Sequence, residues 1–155
     1  METVHNFVVF TLDDNRYALH EEVVERVVHM VEITLLSKSL QKVLGVINVQ
    51  GHIIPVIDTR EVFGLPAKKI GLNDQLIIVR AAKATAALVV DTVTDVITCA
   101  EKDFISAEKS MLGVKSIEGV LKLENGLILV HNLDVFLSQT EEKGLHDVDT
   151  QTLTR

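Results

Sequence analysis

The sequence predicts an all-β fold, arranged as one barrel or as a pair of small barrels, and three observations favour it. Valine, isoleucine and threonine contribute 47 of the 155 residues, and these β-branched side chains fit the half-buried surface of a pleated strand. About eight to ten short apolar runs recur at regular spacing, separated by turn-forming residues. The Asn125-Gly126 pair, a strong two-residue hairpin signal, lies between two of these runs. Short, evenly spaced strands of this kind are typical of small barrels.

The N-terminal part of the chain predicts a hairpin followed by a helical turn and a strand. Residues 7–12 and 17–19 are apolar and flank Asp13-Asp14-Asn15, whose residue types favour a tight turn. Residues 21–33 carry valines at helical spacing, but so many valines are typical of a strand. We therefore expect a turn of helix that runs into a strand.

The middle of the chain predicts a short helix and a second hairpin. In residues 37–45, Ser37 can cap the first turn and Gly45 can take the left-handed position after the last. Strands are expected at residues 46–49 and 52–57, joined by Gln50-Gly51. Pro55 indicates an edge position or a bulge within the second of these strands. A turn at residues 62–66 closes this part, and three further strands are predicted at 76–79, 86–90 and 93–99.

The C-terminal part predicts a third hairpin and a terminal helix. Residues 101–113 are polar and irregular, with a possible short turn at their start, and strands are expected at 116–123 and 127–130. A helix over 132–139 is predicted, with Asn132 as its N-cap and with Leu133, Phe136 and Leu137 facing inward. The composition then turns polar, so we expect a folded domain over 6–139 and a disordered tail over 140–155.

Size, charge and cysteine content limit the classes of function. A chain of 155 residues forms one domain, and 15 basic against 22 acidic residues give a net charge of −7. This charge argues against a general nucleic-acid or acidic-membrane binder. The single cysteine, Cys99, excludes a disulfide-built scaffold and favours a reducing cytoplasm. No apolar run approaches the roughly 20 residues of a membrane span, and residues 1–6 carry no basic cluster, so neither a transmembrane helix nor a signal peptide is expected.

The sequence contains no recognisable catalytic motif. It lacks a nucleophile elbow and a phosphate-binding loop, and its six histidines have no metal-ligand spacing. Cys99 is interpreted as a small buried hydrophobic residue and His131 as a partly exposed structural histidine. Asp58 and Arg60 would share one face of a regular strand, where an ion pair or hydrogen bonds to nearby backbone are favoured over catalysis. We therefore expect no enzyme activity, no cofactor and no metal, and a binding or scaffold role.

Several blocks of the sequence resemble CheW-like domains, the adaptor modules of bacterial chemotaxis. The longest is residues 45–65, GVINVQGHIIPVIDTREVFGL, which is similar to the family signature. The opening hairpin, the block 88–96 and the closing residues 119–120, 127–130 and Leu133 resemble the family in the same order. The resemblance extends from about residue 6 to residue 137.

The resemblance implies both a fold and a function. The fold is two intertwined small five-stranded barrels sharing an apolar core, with a short central helix and a C-terminal helix. The function is a non-catalytic adaptor that couples methyl-accepting chemoreceptors to the regulatory domain of a CheA-type histidine kinase, in the cytoplasm at membrane-bound receptor arrays. The alternatives are an adaptor of a non-flagellar chemosensory pathway, a β-barrel that binds a small ligand, and a hydrolase or metal enzyme assembled from dispersed residues.

The same resemblance implies two groups of protein-binding residues. The receptor side comprises Val24, Arg26, Val27, Asn48, Val49 and Gln50, and the kinase side comprises Gly45 and Asp91. Many family members carry arginine where this chain has Gln50 and glutamate where it has Arg26, so partner choice is expected to differ here. The alternative for the three valines is burial in the core, which is usual for apolar strand residues.

Overall fold

Two six-stranded β-sheets form the computed structural model, which describes residues 3–36, 42–81, 84–106 and 117–140. The strands are β1 (Val4–Leu12), β2 (Asn15–His20), β3 (Val24–His29), β4 (Thr34–Leu35), β5 (Val43–Val49), β6 (His52–Ile57), β7 (Gln75–Arg80), β8 (Thr85–Val90), β9 (Thr92–Ala100), β10 (Phe104–Ser106), β11 (Ile117–Leu123) and β12 (Gly126–His131). Two α-helices, α1 (Thr59–Phe63) and α2 (Leu133–Thr140), and two 3-10 turns, Glu21–Val23 and Glu101–Asp103, complete the described elements.

The chain builds the second sheet as an insertion within the first. The first sheet has the strand order β10-β11-β12-β2-β1-β9, and the second has the order β3-β7-β8-β6-β5-β4. All strands of the second sheet are consecutive in sequence, so the chain leaves the first sheet after β2 and returns to it at β9. The predicted all-β class is confirmed. Ten of the described strands lie where the sequence predicted strands. The other two, β4 and β10, are too short to give a periodic signal.

Apolar side chains form one shared core and one core within each sheet. The shared cluster joins residues of β1 and β2 in the first sheet to residues of β5–β8 in the second and to three residues of α2. Two smaller clusters belong to the first sheet and the second sheet respectively. Because each sheet encloses its own cluster and contributes to a common one, the expected pair of units with a shared apolar core is confirmed. Each described sheet has six strands, where five were expected.

The first two predicted hairpins form with the expected turns. Asp13 and Asp14 both have positive φ, of 52° and 70°, as do Gln50 and Gly51 with 52° and 85°. Such turns match the twist of the flanking strands. In the third hairpin the loop is Glu124-Asn125, one residue earlier than expected, and Gly126 takes the positive φ of 127°.

Of the two helical segments predicted in the N-terminal half, the first is confirmed and the second is corrected. Residues 21–23 form a 3-10 turn that runs into β3, as predicted, although the strand ends at His29. The helix expected over 37–45 is wrong at its C-terminal end, where β5 begins at Val43; residues 37–41 lie outside the described part of the chain. Gly45 is buried where β4 pairs with β5, and a Cβ added there would overlap the Thr34 carbonyl oxygen. This glycine therefore permits close strand approach and does not end a helix.

The central helix is α1, which lies where the sequence indicated only the end of a strand and a turn. The Asp58 side chain caps it by accepting a hydrogen bond from the Glu61 N–H at 3.2 Å, and Gly64 follows it with a φ of 74°. Both are ordinary helix-end signals, but five residues are too few to show a helical period. Pro55 occupies a local edge as expected, since β6 begins its parallel pairing with β8 only at Val56.

The C-terminal helix is confirmed with its cap. The Asn132 side-chain oxygen accepts from the Val135 N–H at 3.1 Å, and Leu133, Phe136 and Leu137 are buried in the shared core. Thr140 is the last described residue, so the tail expected over 140–155 remains a prediction.

Candidate docking surface

The structure brings two of the predicted receptor-side segments together. Arg26 on β3 donates a hydrogen bond from Nη2 to the side-chain oxygen of Gln50, at the tip of the β5–β6 hairpin, over 3.2 Å. In the sheet order, β3 lies at one end and β5 is four places away. A contact between them requires the second sheet to curl towards a barrel. The segments 24–27 and 48–50 therefore lie side by side, and we call the exposed part of these segments the Arg26–Gln50 surface.

A β-bulge sets the position of Arg26. The register of β3 against β7 passes from Val24 opposite Val79 to Arg26 opposite Ile78, and Glu25 is the extra residue. Bulges of this kind redirect the side chains around them. Glu25 pairs with Arg80 on the neighbouring strand, with 3.4 Å between the charged atoms. The bulge therefore separates the charge of Glu25 from that of Arg26.

The hairpin tip that carries Gln50 is fixed by its own polar contacts. The Asn48 side-chain oxygen accepts from the Gly51 N–H at 2.9 Å, and Gln50 is exposed with a left-handed backbone. The amide of Asn48 is thus used to shape the turn. By shaping the turn, Asn48 helps to place the side-chain oxygen of Gln50 within reach of Arg26.

The three predicted valines have different surroundings. Val49 is only 9% exposed and packs in the core of the second sheet, while Val24 is half-buried against the shared core. Val27 is 36% exposed and remains available to a partner. Ile53 on β6, which the sequence analysis did not single out, is 45% exposed. The sequence contains a signal for it, because in the adjacent pair Ile53-Ile54 only one side chain can face the core of a regular strand.

The two predicted kinase-side residues are not free surface groups. Gly45 is buried beneath β4. Asp91, between β8 and β9, lines a small cleft together with Leu44, the neighbour of Gly45. The Asp91 carboxylate is already bound to Arg60, at 3.0 Å from Nη2.

Arg60 is the centre of an ion-pair cluster that joins the two sheets. Its guanidinium donates to both Asp13 carboxylate oxygens at 2.8 Å and to Asp91. The Asp13 N–H also donates to Asp91, at 2.9 Å. Hydrogen bonding to Asp13 raises the pKa of the Arg60 guanidinium, and Arg60 in turn lowers the pKa of the Asp13 carboxyl. Asp13 lies in the first sheet's hairpin and Arg60 follows the second sheet's β6, so the cluster ties the two sheets together.

This cluster corrects one expectation and supports another. Asp58 and Arg60 do not share a strand face, because β6 ends at Ile57 and both residues belong to the start of α1. The structural roles expected for them do occur, with different partners. Asp58 caps the helix and Arg60 pairs with two carboxylates from distant segments.

The two other singled-out residues are buried. His131 is 2% exposed, which corrects the expected partial exposure, and its ring stacks on Phe63 with 4.1 Å between centroids. Burial lowers the pKa of the His131 imidazole to about 4, so this ring is neutral near pH 7. Cys99 is buried as predicted, and burial raises the pKa of its thiol.

Among the residues that the structure describes, no three histidine, cysteine or acidic side chains are grouped so that they could hold a metal ion. Within the same ranges, no helix is both long enough and apolar enough to cross a membrane.

Comparison with known proteins assigns the family. The family model of the CheW-like domain matches residues 6–141. The chain belongs to the CheW-like domain family. Its curated relatives include the chemotaxis protein CheW of Bacillus subtilis, 28% identical over 90% of each chain, and that of Thermotoga maritima, 26% identical over 86% of this chain and 88% of the relative. The crystal structure of the scaffolding protein TtCheW from Thermoanaerobacter tengcongensis matches with a TM-score of 0.76 and 30% identity, over 86% of this chain and 87% of that chain. This CheW-like chain is thus an adaptor or scaffold component of chemotaxis.

Proposed function

We propose that this CheW-like chain couples methyl-accepting chemoreceptors to the regulatory domain of a CheA-type histidine kinase, without catalysing a reaction itself. The observation that carries the proposal is the family match over residues 6–141, nearly the whole described structure. The proposed location is the cytoplasm, at the membrane-bound arrays that the receptors form. The proposed partners are the cytoplasmic tips of the receptors and the kinase regulatory domain.

The Arg26–Gln50 surface is the proposed receptor side. It combines Arg26, held in place by Gln50, with the exposed apolar side chain of Val27, the next residue in the chain. Arginine is enriched at protein interfaces, where apolar and polar groups lie side by side. Val49 packs in the core beneath the hairpin, and Asn48 shapes its turn. Val24, at the start of the segment, packs against the shared core.

On the proposed kinase side, Gly45 and Asp91 act by keeping the surrounding backbone in the shape that the kinase domain binds, not by contacting it themselves. Gly45 lets β4 lie against β5, and Asp91 fixes the β8–β9 junction through Arg60 and the Asp13 N–H. We expect substitutions there to weaken kinase binding by moving β4 or the junction.

The test is gel filtration of the full chain with each purified partner at high micromolar concentration. We expect co-elution with a CheA-type regulatory domain and, in a separate run, with a receptor tip fragment. Absence of both complexes contradicts the proposed function.

Two matched variants then separate the receptor side from the rest of the molecule. Val27→Asp places a charge on the Arg26–Gln50 surface, and Leu127→Asp places one at a 60% exposed position on β12 in the first sheet. We expect Val27→Asp to abolish co-elution with the receptor fragment while retaining co-elution with the kinase domain. Leu127→Asp should retain the receptor complex. Loss of receptor binding in the Leu127 variant alone contradicts the assignment of this surface.

A further inference from the structure

Arg26 is a cation on the proposed receptor surface that has no carboxylate partner within the described ranges. The described ion pairs use Arg60, Arg80, Lys68 and His20, while Arg26 is bound only to the neutral amide of Gln50. We propose that Arg26 binds an aspartate or glutamate carboxylate of the chemoreceptor tip, and that Gln50 is the residue that positions Arg26 for it. This inference rests on the proposed function and adds the chemistry of the partner at that site.

The hydrogen-bonding capacity of Arg26 supports this assignment. A guanidinium has five N–H donors, and only one donates to an acceptor among the described residues. The Arg26 Nε–H is buried and out of reach of a partner, so the donors left for one are the three remaining N–H groups on Nη1 and Nη2. A carboxylate binds a guanidinium through two parallel hydrogen bonds, and such charge-assisted pairs are about twice as strong as neutral hydrogen bonds. An incoming carboxylate is therefore the group that best satisfies the remaining donors.

The surroundings keep Arg26 available for a partner. Glu25, its neighbour in sequence, is displaced by the bulge and paired with Arg80. Gln50 holds the guanidinium without neutralising it, because an amide oxygen accepts a hydrogen bond but carries no charge. A glutamate at position 50 would supply an internal carboxylate at nearly the same place. Among the described residues, the neutral amide thus leaves the positive charge of Arg26 without a carboxylate partner.

The test measures binding of the full chain to the cytoplasmic tip fragment of a methyl-accepting chemoreceptor encoded by the same genome. We expect Arg26→Gln to weaken binding about ten-fold and to reduce its dependence on salt, because a charge pair across the interface has been removed. Gln50→Glu should weaken binding by a similar factor, since it gives Arg26 an internal partner. Arg26→Lys should recover part of the loss, because it keeps the charge without the planar fork.

Arg16→Gln is the matched control. Arg16 on β2 also donates from Nη2 to a side-chain amide oxygen, that of Asn125 at 3.3 Å, but it lies in the first sheet. We expect it to bind the receptor fragment as the unmodified chain does, with the same salt dependence. Thermal unfolding of each variant checks that it is folded.

A charge exchange identifies the partner residue. Each acidic residue of the receptor fragment is replaced in turn by lysine and tested against the unmodified chain and against Arg26→Glu. One such replacement should weaken binding to the unmodified chain and restore binding to Arg26→Glu. If the unmodified chain binds but Arg26→Gln and Gln50→Glu bind equally well, the inference is overturned and the proposed function stands. If the unmodified chain does not bind the fragment at all, the receptor part of the proposed function fails as well.

Discussion

The buried histidine of β12 gives a quantitative prediction about stability in acid. His131 is 2% exposed and stacked on Phe63, and burial lowers the pKa of its imidazole from 6.5 to about 4. Between these two pH values the unfolded chain takes up a proton on this ring while the folded chain does not. The stability that the neutral His131 ring contributes is therefore fully present above pH 6.5 and is lost as the pH is lowered towards 4.

The size of this effect follows from the difference between the two pKa values. A pKa difference of one unit corresponds to about 1.4 kcal/mol. The gap between 6.5 and about 4 therefore corresponds to about 3 kcal/mol of unfolding free energy, lost between neutral pH and pH 4. That loss is a large fraction of the roughly 5–15 kcal/mol that stabilises a typical domain.

The assay is urea denaturation of the unmodified chain and of His131→Gln and His131→Phe, from pH 7.5 to pH 4. His131→Phe preserves an aromatic ring against Phe63, and neither replacement can take up a proton. We expect both variants to lose about 3 kcal/mol less stability on acidification than the unmodified chain. Val130→Ala is the control, because it truncates a fully buried neighbour without changing the titrating groups, and it should shift stability equally at every pH.

Parallel pH profiles for the unmodified chain and both His131 variants would refute the reasoning. A direct check is the NMR titration of the His131 ring protons. Titration near pH 6.5 in the folded chain would mean that the ring is solvated and that its burial does not favour the neutral form.

The remaining predictions concern single contacts. Arg60→Met should lower the unfolding free energy by about 2 kcal/mol in urea at pH 7, because it removes the pairing with Asp13 and Asp91. Part of this loss should disappear as the pH falls through the lowered pKa of the Asp13 carboxyl, which no longer pairs as an anion once it is protonated. A loss of the same size at every pH would show that packing dominates. Gly45→Ala should lower the unfolding free energy by about 1–3 kcal/mol, because the added Cβ overlaps the Thr34 backbone. Gly71→Ala is the control: the space around its added Cβ is open, so its unfolding free energy should equal that of the unmodified chain. The Cys99 thiol should react with iodoacetamide much more slowly in the folded chain than in urea, because it is buried and its pKa is raised, and equal rates would contradict that burial.

Local chemistry in the sequence determined the fold class and most of the strands. Asp13 and Asp14 tolerate a positive φ and Gly51 accepts one without strain, so both hairpins were predictable from residues within the turns. Asn132 likewise caps α2 through its own backbone neighbours. Signals of this kind depend on residues within a few positions, and for that reason they can be read from the sequence.

Only the tertiary structure decided which distant groups meet. Arg60 binds Asp13 across 47 positions, and Arg26 reaches Gln50 across 24 because the second sheet curls. The burial of Gly45 depends on β4, whose two residues have no periodicity, and the burial of His131 depends on the ring of Phe63 in α1. These contacts are set by strand register and sheet curvature, which are properties of the whole packed chain. No pattern among residues close together in the sequence predicts them.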